Sequence, residues 1–389
     1  MNTLETMRET LRLMQTGDLQ AATRAIQQRL RRNAEPPMAG SPPVFRHGAL
    51  PDMGADCIDA EFTVVERPRQ ESPKGPRGPV WQPGGAFRTR SDGNFQMHEF
   101  SCAAGSIPYK LFIPNGLDGA PAPLLLMLHG CTQSPDDFAR GTRMNTLAQR
   151  HGYVVAYPAQ TAERNPNKCW NWFRSGDQQR GRGEPALLAE LSRHLLGTHR
   201  LDEHRVYAAG LSAGGAMAAV LASTYPDVFA AIGVHSGLPV GLAHNLPSAF
   251  AAMREGRGAA PAAGRSGAAR SEPVPTIVFH GDGDTTVHPS NGDDVIEQCL
   301  GATHHAARTM PGSNTVQVER GVTPGGRRYT RTLHSTPDGR VAAEHWVIHG
   351  APHAWSGGDP RGTYTDPSGP DASAEMLRFF AACTRSGGA

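Results

Sequence analysis

The chain has 389 residues, 38% of them hydrophobic, with 38 basic against 36 acidic side chains. That length allows one large core, or one core with an appendage. The formal charge of +2 is spread without long like-charge blocks, so nucleic acid is not indicated as a partner, and no run of 18 uninterrupted apolar residues exists to span a membrane.

The N-terminal stretch MNTLETMRETLRLMQTGDLQ carries charges every few residues and lacks the apolar centre of a secretory signal, which gives a cytoplasmic expectation. Leu4, Met7, Leu11 and Met14 fall on one helical face, and Leu19, Ala22, Ile26 and Leu30 repeat the pattern after a Thr-Gly-Asp break. Residues 1–32 are expected to form a helical hairpin too small to bury both its faces. Residues 33–86, rich in Pro and Gly, are expected to be a linker, with 87–389 as the main domain and a low-complexity insertion at about 254–275.

Inside that domain, FQMHEFSC and IPYKLFIP flank a short turn and predict a hairpin. PLLLMLHG (123–130) is a nearly unbroken apolar run, as in a strand covered on both faces. Residues 136–152 predict a helix, 153–158 a strand, 186–196 a helix, 205–210 a strand and 213–224 a helix. AAIGVHSG and PTIVFHG predict two more buried strands, and RRYTRTLHS and RVAAEHWVIHG either a late hairpin or two sheet strands. SAEMLRFFAAC predicts a closing helix. Strands alternating with helices imply an α/β fold built on a mainly parallel sheet. Six cysteines without CxxC spacing, and seventeen histidines without HExxH, call for no metal. His304 and His305 are expected in a loop.

The strand RVYAAG runs into Gly210-Leu211-Ser212-Ala213-Gly214, and a helix runs out. This GxSxG context places a serine on a tight turn above the sheet, with a helix N-terminus behind it to favour developing negative charge. Ser212 is the candidate nucleophile. It needs a base, and the base an acid to orient it. Asp282 and Asp284 follow the strand PTIVFHG, and Asp284, further beyond the strand end, is favoured. Among His345, His349 and His353, the last lies in the loop beyond its strand and is favoured as base, with His349 next. Ala213 N–H and Cys131 N–H are the expected oxyanion donors, with His129 and Gly130 shaping the turn before Cys131.

LHGCTQSPDDFA, CWNWF with DQQRGRGEP, DEHRVYAAGLSAGGAMA, YPDVFAA, FHGDGDTTV and GAPHAWSGG together resemble the poly(3-hydroxybutyrate) depolymerase family of α/β-hydrolase esterases, over about residues 95–383. The resemblance implies an α/β-hydrolase fold, a triad of Ser212, Asp284 and His353, and the HGC turn as oxyanion loop. It implies hydrolysis of poly- or oligo-(R)-3-hydroxybutyrate without a cofactor, closest to the intracellular members that act on storage granules, with the hairpin at 1–32 as a candidate granule contact. The family also holds feruloyl and acetyl-xylan esterases, and a non-catalytic granule-associated scaffold is a third reading. Enzymes of this kind commonly carry cysteine at both 131 and 169, which implies a close pair or a disulfide there. Cytoplasmic residence argues against a persistent bridge. Trp170 and Trp172 are expected to form an aromatic wall for an apolar chain, one ring buried and the other lining the mouth, with His129 and Gln133 beside the substrate.

Overall fold

The computed structural model of the chain describes residues 94–117, 119–256, 273–307 and 315–385. Contacts divide the chain into Met1–Glu61 and Phe62–Ala389, and every described residue lies in the second unit. The expected hairpin at 1–32 and linker at 33–86 lie outside the described residues, as does most of the insertion at 254–275.

The elements in chain order are β1 (Asn94–Cys102), β2 (Gly105–Ile113), β3 (Ala122–Leu128), α1 (Pro135–Thr142), α2 (Met144–His151), β4 (Val154–Pro158), α3 (Gly183–Thr198), β5 (Leu201–Leu211), α4 (Ala213–Thr224) and β6 (Ala231–His235). They continue with α5 (Leu246–Glu255), β7 (Thr276–Gly281), α6 (Ser290–Ala307), β8 (Thr315–Val322), β9 (Arg328–Ser335), β10 (Val341–Ile348), the short β11 (Trp355–Ser356) and β12 (Thr365–Asp366), and α7 (Ala372–Ala381). One sheet has the order β1-β2-β4-β3-β5-β6-β7-β10-β9-β8. Its middle, from β4 to β10, is parallel, and both margins are antiparallel.

β3 explains the two-sided cover. All seven of its residues are buried. Leu124, Leu126 and Leu128 join one core with Leu187 and Leu191 of α3 and Met217 and Leu221 of α4. Leu125 and Met127 join the opposite core with Phe138, Leu147, Met376 and Phe380 from α1, α2 and α7. Alternation along a strand sends successive side chains to opposite faces, so an unbroken apolar run is what two covered faces require. Among the described residues no helix is long and apolar enough to cross a membrane.

The expected single helix at 136–152 is two helices, broken at Arg143, which sits at φ 55° and sends its guanidinium to the Gly357 carbonyl and Asp371. The late segment is both things expected of it. β9 and β10 pair antiparallel, and β10 continues the parallel sheet beside β7. β8, not expected from the sequence, is almost wholly exposed, and its evenly spaced Val316, Val318 and Val322 face outward rather than into a core. His304 and His305, expected in a loop, lie within α6.

Candidate active site

The parallel strands end together, and the turns that leave them carry the candidate residues. Ser212 stands between β5 and α4 at φ 57° and ψ −118°. A non-glycine residue in that region stores strain of about 1–3 kcal/mol and stays there only when its surroundings over-determine it. Here the Ser212 N–H donates to the His235 carbonyl at 2.8 Å, and the Ser212 carbonyl accepts the Ala216 N–H at 2.9 Å. A Cβ on Gly214 would collide with the Leu128 carbonyl, and one on Gly210 with the backbone of Gly214. Glycine at both places lets α4 begin hard against β3 and β5. The N–H groups of the first turn of α4, Ala213 among them, have no carbonyl within the helix.

His235, at the end of β6, holds the underside of this turn. Burial, with the charges of His280 and His353, keeps its pKa well below the usual histidine value. Its Nε2 accepts the Ser356 N–H at 2.9 Å, so the ring is neutral, and it stacks between Phe279 and Trp355. This residue went unnoticed in the sequence. The available signal was a histidine at the last position of a buried strand.

Asp284 and His353, from the loops after β7 and β10, meet at 2.7 Å between Oδ2 and Nδ1. Asp284 Oδ1 also accepts the Thr286 and Val287 N–H groups at 2.8 and 2.9 Å. His280 Nε2 lies 3.4 Å from Oδ2. Burial raises the Asp284 pKa, but the hydrogen bonds of His280 and His353, the charge of His353 and the Val287 amide outweigh it and hold the carboxyl far below the ordinary range. The acid stays ionised. With Nδ1 committed to it, Nε2 is the His353 nitrogen left to exchange a proton. Asp282 and His349, the other candidates, form a separate pair at 2.8 Å. His345 lies buried within β10, outside this arrangement.

The HGC turn after β3 abuts the serine turn, since a Cβ on Gly130 would lie 3.5 Å from the Leu211 carbonyl. Gly130 N–H donates to Gln133 Oε1 at 2.9 Å, Thr132 N–H to the Asn167 carbonyl at 2.8 Å, and Gln133 N–H to the Gly130 carbonyl at 3.3 Å. Of these four consecutive amides, Cys131 N–H has no partner among the described residues. The turn therefore presents one open donor.

His129 and Gln133, expected beside the substrate, are both buried and build this turn, His129 from behind and Gln133 from the side of Asp137 and Thr363. His129 is 1% exposed. Its Nε2 accepts the Gln160 N–H at 3.0 Å and its Nδ1–H donates to the Gly130 carbonyl at 2.7 Å. Burial lowers its pKa to about 4. Gln133 is 3% exposed, its amide shared between Gly130, Asp137 and Thr363.

The expected aromatic surface is likewise absent, because both tryptophans are core residues at 0% and 6% exposure. Trp170 Nε1–H donates to the His129 carbonyl at 3.0 Å, and Trp172 packs edge-on against Phe173. A polar anchor buries this loop. Glu184, 3% exposed, accepts from the Asn171 N–H at 2.7 Å, the Asn171 side chain at 2.6 Å and the Gln160 amide. Burial raises the Glu184 pKa, while the hydrogen bonds from Asn171 and Gln160 act against it. Cys169 is joined to Cys131 by a disulfide, with a Cα–Cα distance of 4.3 Å, well inside the separation of about 7 Å beyond which no bridge forms without backbone movement. The Trp loop thus supports the HGC turn from two sides.

Sheet, serine turn and acid–histidine pair define an α/β-hydrolase. The chain belongs to the poly(3-hydroxybutyrate) depolymerase esterase family: the family profile described as "Esterase PHB depolymerase" matches residues 107–311. It is 34% identical over 280 residues to a poly(3-hydroxyalkanoate) depolymerase C of Paucimonas lemoignei, covering 70% of this chain and 62% of that one. It is 34% identical over 155 residues to a feruloyl esterase B of Thermothelomyces thermophilus, covering 40% of this chain and 52% of that one. The chain thus spans less than two thirds of the length of either relative. An acetyl xylan esterase from Aspergillus awamori shares the fold, with a TM-score of 0.57 at 18% identity over 74% of this chain and 99% of that one.

Proposed function

We propose that the chain is a serine esterase that hydrolyses poly- or oligo-(R)-3-hydroxybutyrate through an acyl-enzyme. The observation that carries the reading is the Asp284–His353 pair on the loops after β7 and β10, together with the strained Ser212 turn after β5 of the same sheet. His353 Nε2 takes the Ser212 proton as Oγ attacks the ester carbonyl. The tetrahedral oxyanion falls to Cys131 N–H and Ala213 N–H, which are preorganised donors and pay no reorganisation as charge develops. Collapse breaks the ester C–O bond, and His353 returns the proton to the leaving alkoxide. Water then attacks the acyl-Ser212, losing its proton to the same nitrogen, and the acid departs as Oγ is reprotonated. Asp284, ionised and buried, stabilises the imidazolium of both steps.

The polyester substrate is supported by family membership and by the depolymerase relative. Amorphous polyhydroxybutyrate granules and soluble oligomers, incubated with wild type and Ser212→Ala, test it by released hydroxybutyrate. Release by wild type alone is expected, and equal release from both overturns the mechanism. The feruloyl esterase relative and the acetyl xylan esterase fold neighbour favour a second reading, a plant-ester esterase. Turnover of feruloyl or acetyl-xylan esters, with none of hydroxybutyrate oligomers, would select it.

A further inference from the structure

A cavity of about 590 Å³ opens beside the HGC turn, lined by Thr132, Gln133, Asp137, Lys168, Thr363 and Tyr364. Thr132 follows one disulfide cysteine and Lys168 precedes the other, so the cavity begins one residue from the open Cys131 amide. Three of its residues hold left-handed backbone: Thr132 at φ 68°, Lys168 at 51° and Tyr364 at 52°. Such conformations are uncommon outside glycine and concentrate at functional sites.

Most of its polar groups are spent on one another. Asp137 Oδ1 accepts the Thr363 N–H at 3.0 Å, and Oδ2 accepts the Gln133 amide at 3.1 Å and the Thr363 hydroxyl. Gln133 Oε1 is taken by Gly130 N–H. Of the two lysines among the described residues, Lys110 is paired with Asp136. Lys168 lowers the pKa of exposed Glu163 only as the last of four influences, after that residue's own backbone, Thr161 and burial, and forms no ion pair among the described residues. The cavity thus holds one committed carboxylate and one uncommitted ammonium, with a half-exposed tyrosine ring at its edge.

We infer that this cavity receives the carboxylate end of a hydroxyacid ester chain, with the Lys168 ammonium as its partner. The inference rests on the esterase reading of the adjoining site. In a chain of esterified hydroxy acids the free carboxylate lies on the alcohol side of every ester bond. The cavity would therefore hold the leaving portion, and short carboxylate-ended oligomers would be favoured over capped ones. Asp137 confines the carboxylate to the Lys168 side by repulsion.

The test is calorimetric binding of linear (R)-3-hydroxybutyrate trimer and of its methyl ester to the Ser212→Ala protein. The acid is expected to bind about tenfold more tightly, as a charge-assisted contact in a partly enclosed site implies. Lys168→Met should remove the difference, and Lys168→Arg should keep most of it. Equal binding of acid and ester, no binding of either, or a preference unchanged in Lys168→Met would overturn the inference. Wild-type turnover reads the underlying esterase assignment separately. A trimer bound with this preference but never cleaved would sink that assignment alone, and one cleaved without preference would sink only the role of Lys168.

Discussion

Two aspartate–histidine pairs stand on the same two loops, Asp284 with His353 at 2.7 Å and Asp282 with His349 at 2.8 Å. Bond length does not separate them. Burial does: the side chains of the first pair are 0% and 11% exposed, those of the second 42% and 33%. So does the other ring nitrogen, because His349 Nε2 meets the Thr330 hydroxyl at 2.9 Å. A charge pair in a dry site interacts several times more strongly than one in water. The outer pair is better suited to fastening. Asp282 accepts the Gly350 N–H through its carboxylate and donates its own N–H to the Ile348 carbonyl at 3.1 Å. It ties the loop after β7 to the loop after β10, while Asp284 holds the buried His353 imidazole.

The strongest way to break this contrast is Asp284→Asn. Loss of about 10⁴-fold in kcat on a p-nitrophenyl ester is expected, since the amide stabilises the wrong tautomer. A loss under tenfold would mean that Asp282 supplies the acid.

A second expectation concerns pH, because burial also sets how histidines respond to it. Burial lowers the pKa of both His129 and His345 to about 4, against about 6.5 when unfolded. Between those values the unfolded chain takes up protons that the folded chain refuses. Their contribution is present above about pH 6.5 and is lost as pH falls towards 4. Each should cost about 2 kcal/mol between pH 7 and 5. Urea midpoints of wild type and His345→Gln at both pH values check this. An equal fall in the two proteins would remove His345 from the account.

The smallest effect is expected of Asp282→Asn, within about threefold in kcat and about 1 kcal/mol in stability, as for other exposed pairs. Steady-state kinetics and urea unfolding of this variant, set beside Asp284→Asn, complete the comparison.

Much of the molecule is legible in order and spacing. The apolar run of β3 and the GxSxG turn are local patterns, each dictated by near-neighbour geometry. The Trp-Asn-Trp loop was less legible. Its composition reads as exposed, and only Glu184, thirteen residues beyond Asn171, supplies the buried acceptor that draws it inward. His129 belongs to the HGC turn but lies on its buried side, because its ring is tied to the Gln160 N–H and the Gly130 carbonyl.

By itself the sequence determined the class of fold and which serine takes the strained turn, because periodicity and steric demands act over a few residues. It offered two acids and more than one histidine without separating them by environment. Only the tertiary structure decided that Asp284 and His353 share the buried position, that Asp282 and His349 brace the loops outside, and that the cysteines close behind the HGC turn. Burial and pairing are properties of loops brought together from distant strands, and no local pattern encodes them.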